Sequence, residues 1–427
     1  MQFSSANNTT ICPPPFCNHH LMGRLLRSSL VALVSATAAA ASGQTMGWSS
    51  HGTFGCAADC APNASLCVSD TMYRGVVQSL HAATLIDAGY TWLYVDDCWS
   101  EHTRDTFGRL VPDASRFPQG LSGLAAYAHE HKMHLAVSID LGPTTCAGHP
   151  GSWGHFGLDI QTLASWGVDR VIIQSCSALP SPSTFYFMLS TLTSLAHAAT
   201  LSTHCLLGDH VSVINATLAA AADCDFLQLA PRLHDDWIEV SHALLTLDPA
   251  SSLSSTASLG PLVVGGYGLT HGQAKLQLAT WQLLAFPLLV AVDIQSMITR
   301  SPADHELLVH PVFLQLYHAP RTSRPRRWVP QDNVLVATGV TVWLQNLTWA
   351  GHAAMSITAL RPHNLPPHMP ISFDLAWDEL NLPSSAECDV VDVWMTSSSL
   401  RVKHRVTVTV APFDAAVLVV IPTHTML

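Results

Sequence analysis

From Met46 to about residue 318, short apolar runs alternate with stretches whose apolar residues recur every three to four positions. One unit shows the rule. Ser69 and Asp70 offer a helix N-cap, Met72, Val76, Val77, Leu80, Leu85 and Ile86 fall on one helical face, and Gly89 closes the segment. The run Trp92–Val95 follows at once and reads as a strand. Comparable runs stand at Met46–Ser49, Leu135–Ile139, Val168–Ile173, Leu201–Leu207, Phe226–Leu229, Leu262–Val264 and Leu288–Val292, which makes eight. Helical spacing fills the intervals around 120–131, 157–166, 183–199, 211–221, 236–247, 269–284 and 302–316. Strand and helix alternating eight times predict an α/β chain closed into a (β/α)₈ TIM barrel over residues 44–320.

After the basic stretch Arg321–Arg327, read as a linker, the period changes. Short β-rich runs appear at Val334–Ala337, Val340–Leu344, Ala354–Leu360, Val390–Met395, Val402–Val410 and Ala415–Ile421. Val402 to Val410 alternates valine with polar residues, as a half-buried strand does. Residues 328–427 are therefore expected to form a C-terminal antiparallel β-sandwich.

The first 43 residues belong to neither pattern. Met22-Gly23-Arg24-Leu25-Leu26-Arg27 is a basic start, Leu30–Val34 begins an apolar stretch, and Ala36–Ala41 supplies small residues for cleavage. The expectation is an N-terminal extension and signal peptide over 1–43, with translation starting at Met22. The apolar run is too short for a membrane anchor. A net charge of −11 argues against nucleic acid as partner. The 24 histidines outnumber the 19 lysines plus arginines, so acidification would turn the charge positive. That suits an acidic compartment no better than it suits compositional drift. Sequons at Asn63, Asn215 and Asn346 are compatible with secretion. Nine cysteines lie beyond the leader, so eight could pair and one would remain. They form no CxxC pair or His/Cys cluster with metal spacing, so neither metal nor other cofactor is expected.

The chemistry concentrates at Tyr94-Val95-Asp96-Asp97-Cys98-Trp99, where an apolar strand ends in two carboxylates and a tryptophan. Adjacent buried acids need a polar or cationic group between them. At the carboxyl end of a barrel strand that group is usually a substrate. A sugar fits, since carboxylates accept from its hydroxyls and tryptophan covers its apolar face; a solvated acidic strand end is the plain alternative.

Met46-Gly47-Trp48, Cys56, Cys60, Asp96-Asp97-Cys98-Trp99, Gly108-Arg109-Leu110, Arg116-Phe117-Pro118 and Thr145-Cys146-Ala147-Gly148-His149-Pro150-Gly151 together resemble glycoside hydrolase family 27. The family holds α-galactosidases and α-N-acetylgalactosaminidases, and the resemblance is dense from 46 to 176 and thin beyond 240. It implies a retaining mechanism, with two carboxylates roughly 5–5.5 Å apart. It implies that Asp236 is the acid/base, with adjacent Asp235 the weaker choice, and that Asp96, Asp97 and Arg232 contact the sugar. Disulfides Cys56–Cys98, Cys60–Cys67, Cys146–Cys176 and Cys205–Cys224 are implied, leaving Cys388 unpaired. Terminal α-galactosides or related glycans are implied as ligands, and the resemblance admits a homodimer; the signal peptide predicts a secreted or lysosomal/vacuolar location.

One position breaks the pattern. The family nucleophile lies in a Lys-x-Asp-Gly-Cys motif, and this chain reads Ile172-Ile173-Gln174-Ser175-Cys176. An amide cannot form the glycosyl ester, and Ile172 removes a cation. His51 and Ser138 replace an aromatic pair of the family, and Leu206-Leu207-Gly208-Asp209-His210 replaces its specificity loop. The reading is a family 27-like protein that is weakly active or inactive and keeps α-galactoside binding. An active hydrolase and an interaction protein without sugar affinity are the alternatives. Asp140 and Asp209 are the bases an inverting route would use, against plain roles as a structural acid and a solvated loop acid. His51 and His210 read as ordinary polar residues.

Overall fold

The computed structural model describes residues 45–61, 63–176, 181–206, 224–228, 233–246, 257–330, 335, 337–395 and 399–423. Strands β1 (Met46–Ser49), β2 (Trp92–Val95), β3 (His134–Asp140), β4 (Arg170–Gln174), β5 (Ser202–Leu206), β6 (Phe226–Gln228), β7 (Ala257–Ser258) and β8 (Leu288–Val290) form one parallel sheet. Its order is β7-β6-β5-β4-β3-β2-β1-β8. Leu262 closes the circle: its N–H donates to Leu289 O at 2.6 Å, and Ala291 N donates to Leu262 O at 2.8 Å. The (β/α)₈ barrel is thus present.

The expected seventh strand, Leu262–Val264, is displaced. Ala257–Ser258 pairs with β6 instead, and Leu262 makes only an isolated bridge to Val290. Gly260, in the left-handed region at φ +116°, and Pro261 turn the chain between the two contacts. Leu262, Val263 and Val264 are fully buried, so burial alone mimics a strand there. The helix expected at 302–316 is split into Pro302–Leu308 and Pro311–His318, each starting at a proline suited to a first turn. The helix expected at 211–221 lies outside the described residues, as do Asp209, His210, Arg232 and the Asn215 sequon.

Beyond the barrel stand β9 (Arg326–Trp328), β10 (Thr341–Trp349), β11 (His352–Arg361), β12 (Ile371–Ala376), β13 (Glu387–Asp392), β14 (Ser399–Lys403), β15 (Arg405–Val410) and β16 (Asp414–Pro422). They form a six-stranded antiparallel sheet, β14-β13-β16-β11-β10-β9, and a two-stranded sheet, β12-β15. The stretch read as a linker therefore runs into the edge strand β9. Val402–Val410 is two strands, broken at His404 with φ +71°. Leu335 and Ala337 are helical rather than extended.

The alternation along β16 explains how one sheet buries both faces. Ala415, Val417 and Val419 join the barrel's core, whereas Leu418 and Val420 pack with Val406, Val408 and Val410 of β15. Lys275 of the barrel helix His271–Leu284 pairs with Asp414 at 3.0 Å. Four disulfides, Cys56–Cys98, Cys60–Cys67, Cys146–Cys176 and Cys205–Cys224, are formed, and Cys388 is free and buried. Among the described residues no helix is long and apolar enough to cross a membrane.

Candidate active site

Alternation on each barrel strand decides what reaches the axis. Leu93 and Val95 of β2, Leu135, Val137 and Ile139 of β3, and Val171 and Ile173 of β4 pack into the outer core. Tyr94, Ala136, Ile172 and Leu289 form a separate inner cluster, with Trp92 and Leu206 against it. The same period carries Asp96, Ser138 and Gln174 to the carboxyl ends of β2, β3 and β4.

Asp96 is 5% exposed, and its Oδ2 accepts from Ser49 Oγ at 2.8 Å, Ser50 Oγ at 3.0 Å and His51 N at 3.0 Å. The Tyr73 phenol donates to Ser50 Oγ at 3.0 Å. Burial, reinforced by the Asp96 charge, holds that phenol well above its ordinary titration range. Asp97 is equally buried; it accepts from Cys98 N at 2.7 Å and from Ala147 N at 3.3 Å. Cys98 adopts φ +71° and is tied to Cys56. Asp97 lies close to Cys56 and Cys98, but those sulfurs are bonded to each other and offer no metal ligand.

Trp99 departs from expectation. It is 3% exposed, donates Nε1 to Ser138 O at 2.9 Å and meets Trp166 edge-on at 5.9 Å. It belongs to the core and is no platform for a sugar face.

Gln174 is 3% exposed and stands opposite Asp140 on β3 and Leu206 on β5. Its carbonyl accepts from Leu141 N at 2.8 Å, and Cys146–Cys176 anchors the following turn. Asp140 is fully buried, with Oδ1 accepting from Gly142 N at 2.7 Å and Oδ2 from Cys176 N at 3.0 Å. Those bonds brace the β3 and β4 ends.

The two acids after 232 differ. Asp235 accepts from Tyr267 N and from Gly268 N at 2.9 Å. A Cβ at Gly268 would sit 2.1 Å from Asp235 O, so only glycine allows that approach. Asp236 is exposed, and its Oδ1 accepts from Ile238 N at 2.7 Å and Glu239 N at 3.3 Å, which caps the helix Trp237–Thr246.

A cavity of about 30 Å³ lies inside the barrel mouth. Ser49, His51, Asp96, His204 and Gln228 supply its polar wall, and Tyr94, Ile172, Leu206, Pro261 and Leu289 its apolar one. Asp97, Gln174 and Asp236 are not in that lining. Below it, Arg170 donates to Thr45 Oγ1, Tyr94 Oη and Ser202 Oγ, each at 2.8 Å. Its guanidinium is 3.7 Å from the Trp92 ring centroid and 4.5 Å from that of Phe226. Tyr94 Oη is 3.2 Å from His204 Nδ1. Burial, helped by the nearby Arg170 charge, pushes the His204 pKa down to about 3, so the ring is neutral. Sequence reading missed Arg170, Tyr94 and His204. Counting back from Cys205, whose sulfur faces outward, would have turned His204 inward.

A sequence model of the family described as alpha galactosidase A matches residues 43–312. The alpha-N-acetylgalactosaminidase of Gallus gallus is 27% identical over 381 residues, covering 86% of this chain and 90% of the relative. The alpha-galactosidase A of Homo sapiens is 30% identical over 269 residues, 61% of this chain and 63% of the relative. Among solved structures, alpha-galactosidase I from Mortierella vinacea superposes with a TM-score of 0.70 at 19% identity, covering 90% of this chain and 98% of its own. That likeness concerns the fold.

Proposed function

This chain belongs to the alpha-galactosidase A family, glycoside hydrolase family 27, and we propose that it is a member that has lost covalent hydrolysis while terminal α-galactosides or related glycans remain its ligands. The observation that carries the reading is Gln174 at the end of β4, in a register fixed by β3 and by Cys146–Cys176. A retaining enzyme needs a carboxylate nucleophile opposite its acid/base. An amide oxygen there gives no stable glycosyl ester, and Ile172 brings no cation to the sugar. Asp236 keeps its place as the acid/base candidate, with no nucleophile to work with.

An inverting route needs a second carboxylate that holds water roughly 6.5–9.5 Å from the acid. Asp140 is a poor one, because two backbone N–H groups already occupy its oxygens. Asp96 at the cavity and Asp97 beside it are the sugar-binding acids of this reading, and Arg232 joins them by resemblance. The four disulfides support an oxidising compartment, hence secretion or delivery to a lysosome or vacuole.

Purified protein is expected to bind methyl α-galactoside in calorimetry and to leave nitrophenyl α-galactoside essentially uncut. Robust turnover that disappears in Asp236→Ala sinks the reading. A second reading, an interaction protein without sugar affinity, draws on the small cavity and the buried Trp99. Glycan-array binding that is lost in a folded Asp96→Asn variant eliminates it.

A further inference from the structure

We infer that His204 is a ligand-contacting donor, whose Nε2–H holds one oxygen of the galactoside bound at the barrel mouth; this rests on the binding reading above. Three observations on the same residue converge.

First, the hydrogen bonds choose the tautomer. Arg170 can only donate, so Tyr94 Oη accepts from it at 2.8 Å. The phenol's single hydrogen is then directed to the neighbour 3.2 Å away, His204 Nδ1. An accepting Nδ1 on a neutral ring leaves the proton on Nε2.

Second, Nε2 is buried and has no hydrogen-bond partner among the described residues, although the ring is only 1% exposed. A buried donor without an acceptor is unfavourable. His204 lines the cavity, so a ligand oxygen there is the acceptor assigned to this donor.

Third, the cavity has room for a ligand oxygen. Its volume, about 30 Å³, admits a hydroxyl-sized group or a water. A galactoside at the barrel mouth would send one of its oxygens into this space, between Asp96 and His204. Ser49, His51, Asp96 and Gln228 share the polar wall with His204, so a ligand oxygen there would meet His204 as one donor among several polar groups. A proton-bearing Nε2 cannot be a general base, so the role is binding and positioning. Tyr94 and Arg170 act through it.

The test uses the full chain with ¹⁵N-labelled histidine, the His204 signals being assigned by their loss in His204→Gln. In the free protein the proton is expected on Nε2, and methyl α-galactoside is expected to shift that signal. Calorimetry with the same ligand should show a five- to tenfold weaker affinity in His204→Met, about the worth of one neutral hydrogen bond. His204→Gln keeps an N–H donor and should recover most of the loss. Tyr94→Phe leaves the ring but frees Nδ1, and should mix the tautomers and weaken binding about twofold; it decides the matter even where His204→Met does not fold. A proton found on Nδ1, or a bound galactoside that leaves His204 unmoved, overturns this inference alone. Absence of any galactoside binding by the wild type overturns both this inference and the reading beneath it.

Discussion

The two sides of the barrel mouth are built on different principles. On the β1–β2 side, two serine hydroxyls and a backbone amide converge on Asp96, a buried phenol supports one serine, and Cys56–Cys98 ties the strand end down. On the β4–β5 side, Ile172, Gln174, His204 and Leu206 carry no charge, since His204 is neutral. The first side satisfies one oxygen of its acid, Asp96 Oδ2, with three protein donors. The buried charges near the second side, Arg170 lower on β4 and Asp140 at the end of β3, are held by other partners, so the uncharged residues at its mouth can change without disturbing them. Survival of the acidic pair therefore reports structural need as much as sugar binding. On the reading proposed above, an amide in place of a nucleophile on the other side costs little stability and removes the covalent step.

The largest effect should come from rebuilding the second side. Ile172→Lys with Gln174→Asp is expected to raise turnover of nitrophenyl α-galactoside about a thousandfold, within the range that nucleophile removals cost. Gln174→Asp alone should gain far less. Its new carboxylate would stand opposite buried Asp140, and a like charge without a cation favours the protonated, unreactive form. A single variant as active as the double would show that the missing cation is irrelevant and that one residue separates the two sides.

The first side is tested by stability. Asp96→Asn puts an amide against three donors that now converge on one oxygen. We expect a loss of about 3 kcal/mol, from unsatisfied buried donors and a lost charged acceptor, read from the denaturation midpoint at constant slope. A loss near zero would mean that Asp96 is kept for ligand alone, and the contrast between the sides would fail.

How much of this was legible depends on where the physics is local. The barrel strands were readable because inward and outward residues alternate with period two and the outward ones are strongly apolar, as at Leu135, Val137 and Ile139. The seventh strand was misplaced because Leu262–Val264 is as apolar as any strand while its pairing is decided by a turn at Gly260 and Pro261. Strand β9 was hidden because an edge strand can expose Arg326 and Arg327 to water. At the site, the acids and cysteines stood in recognisable motifs, and the four pairings implied by resemblance are formed. Trp99 was misread because a tryptophan beside two acids looks the same in sequence whether it faces a ligand or Trp166. His204 was invisible for the converse reason: its importance comes from Arg170 and Tyr94, which are distant in sequence and meet only inside the barrel.

The smallest effect concerns acid. The folded pKa of His204 lies near 3, below the ordinary value of about 6.5. A depressed histidine pKa means that the unfolded chain binds the proton more readily. Its contribution is therefore fully present above about pH 6.5 and is lost as pH falls toward 3, by up to about 1.4 kcal/mol per pH unit. Burial also depresses His310 and His318, so the wild type alone cannot assign the slope. The difference from His204→Gln can, because the other two histidines are common to both proteins. The denaturation midpoint of the wild type should fall more steeply than that of the variant between pH 6.5 and 3, and the two should run parallel above 6.5. Parallel behaviour throughout would mean that the ring is charged in the fold. The β4–β5 side would then carry a cation after all, and the contrast with the acidic β1–β2 side would become one of opposite charges rather than of charge against none.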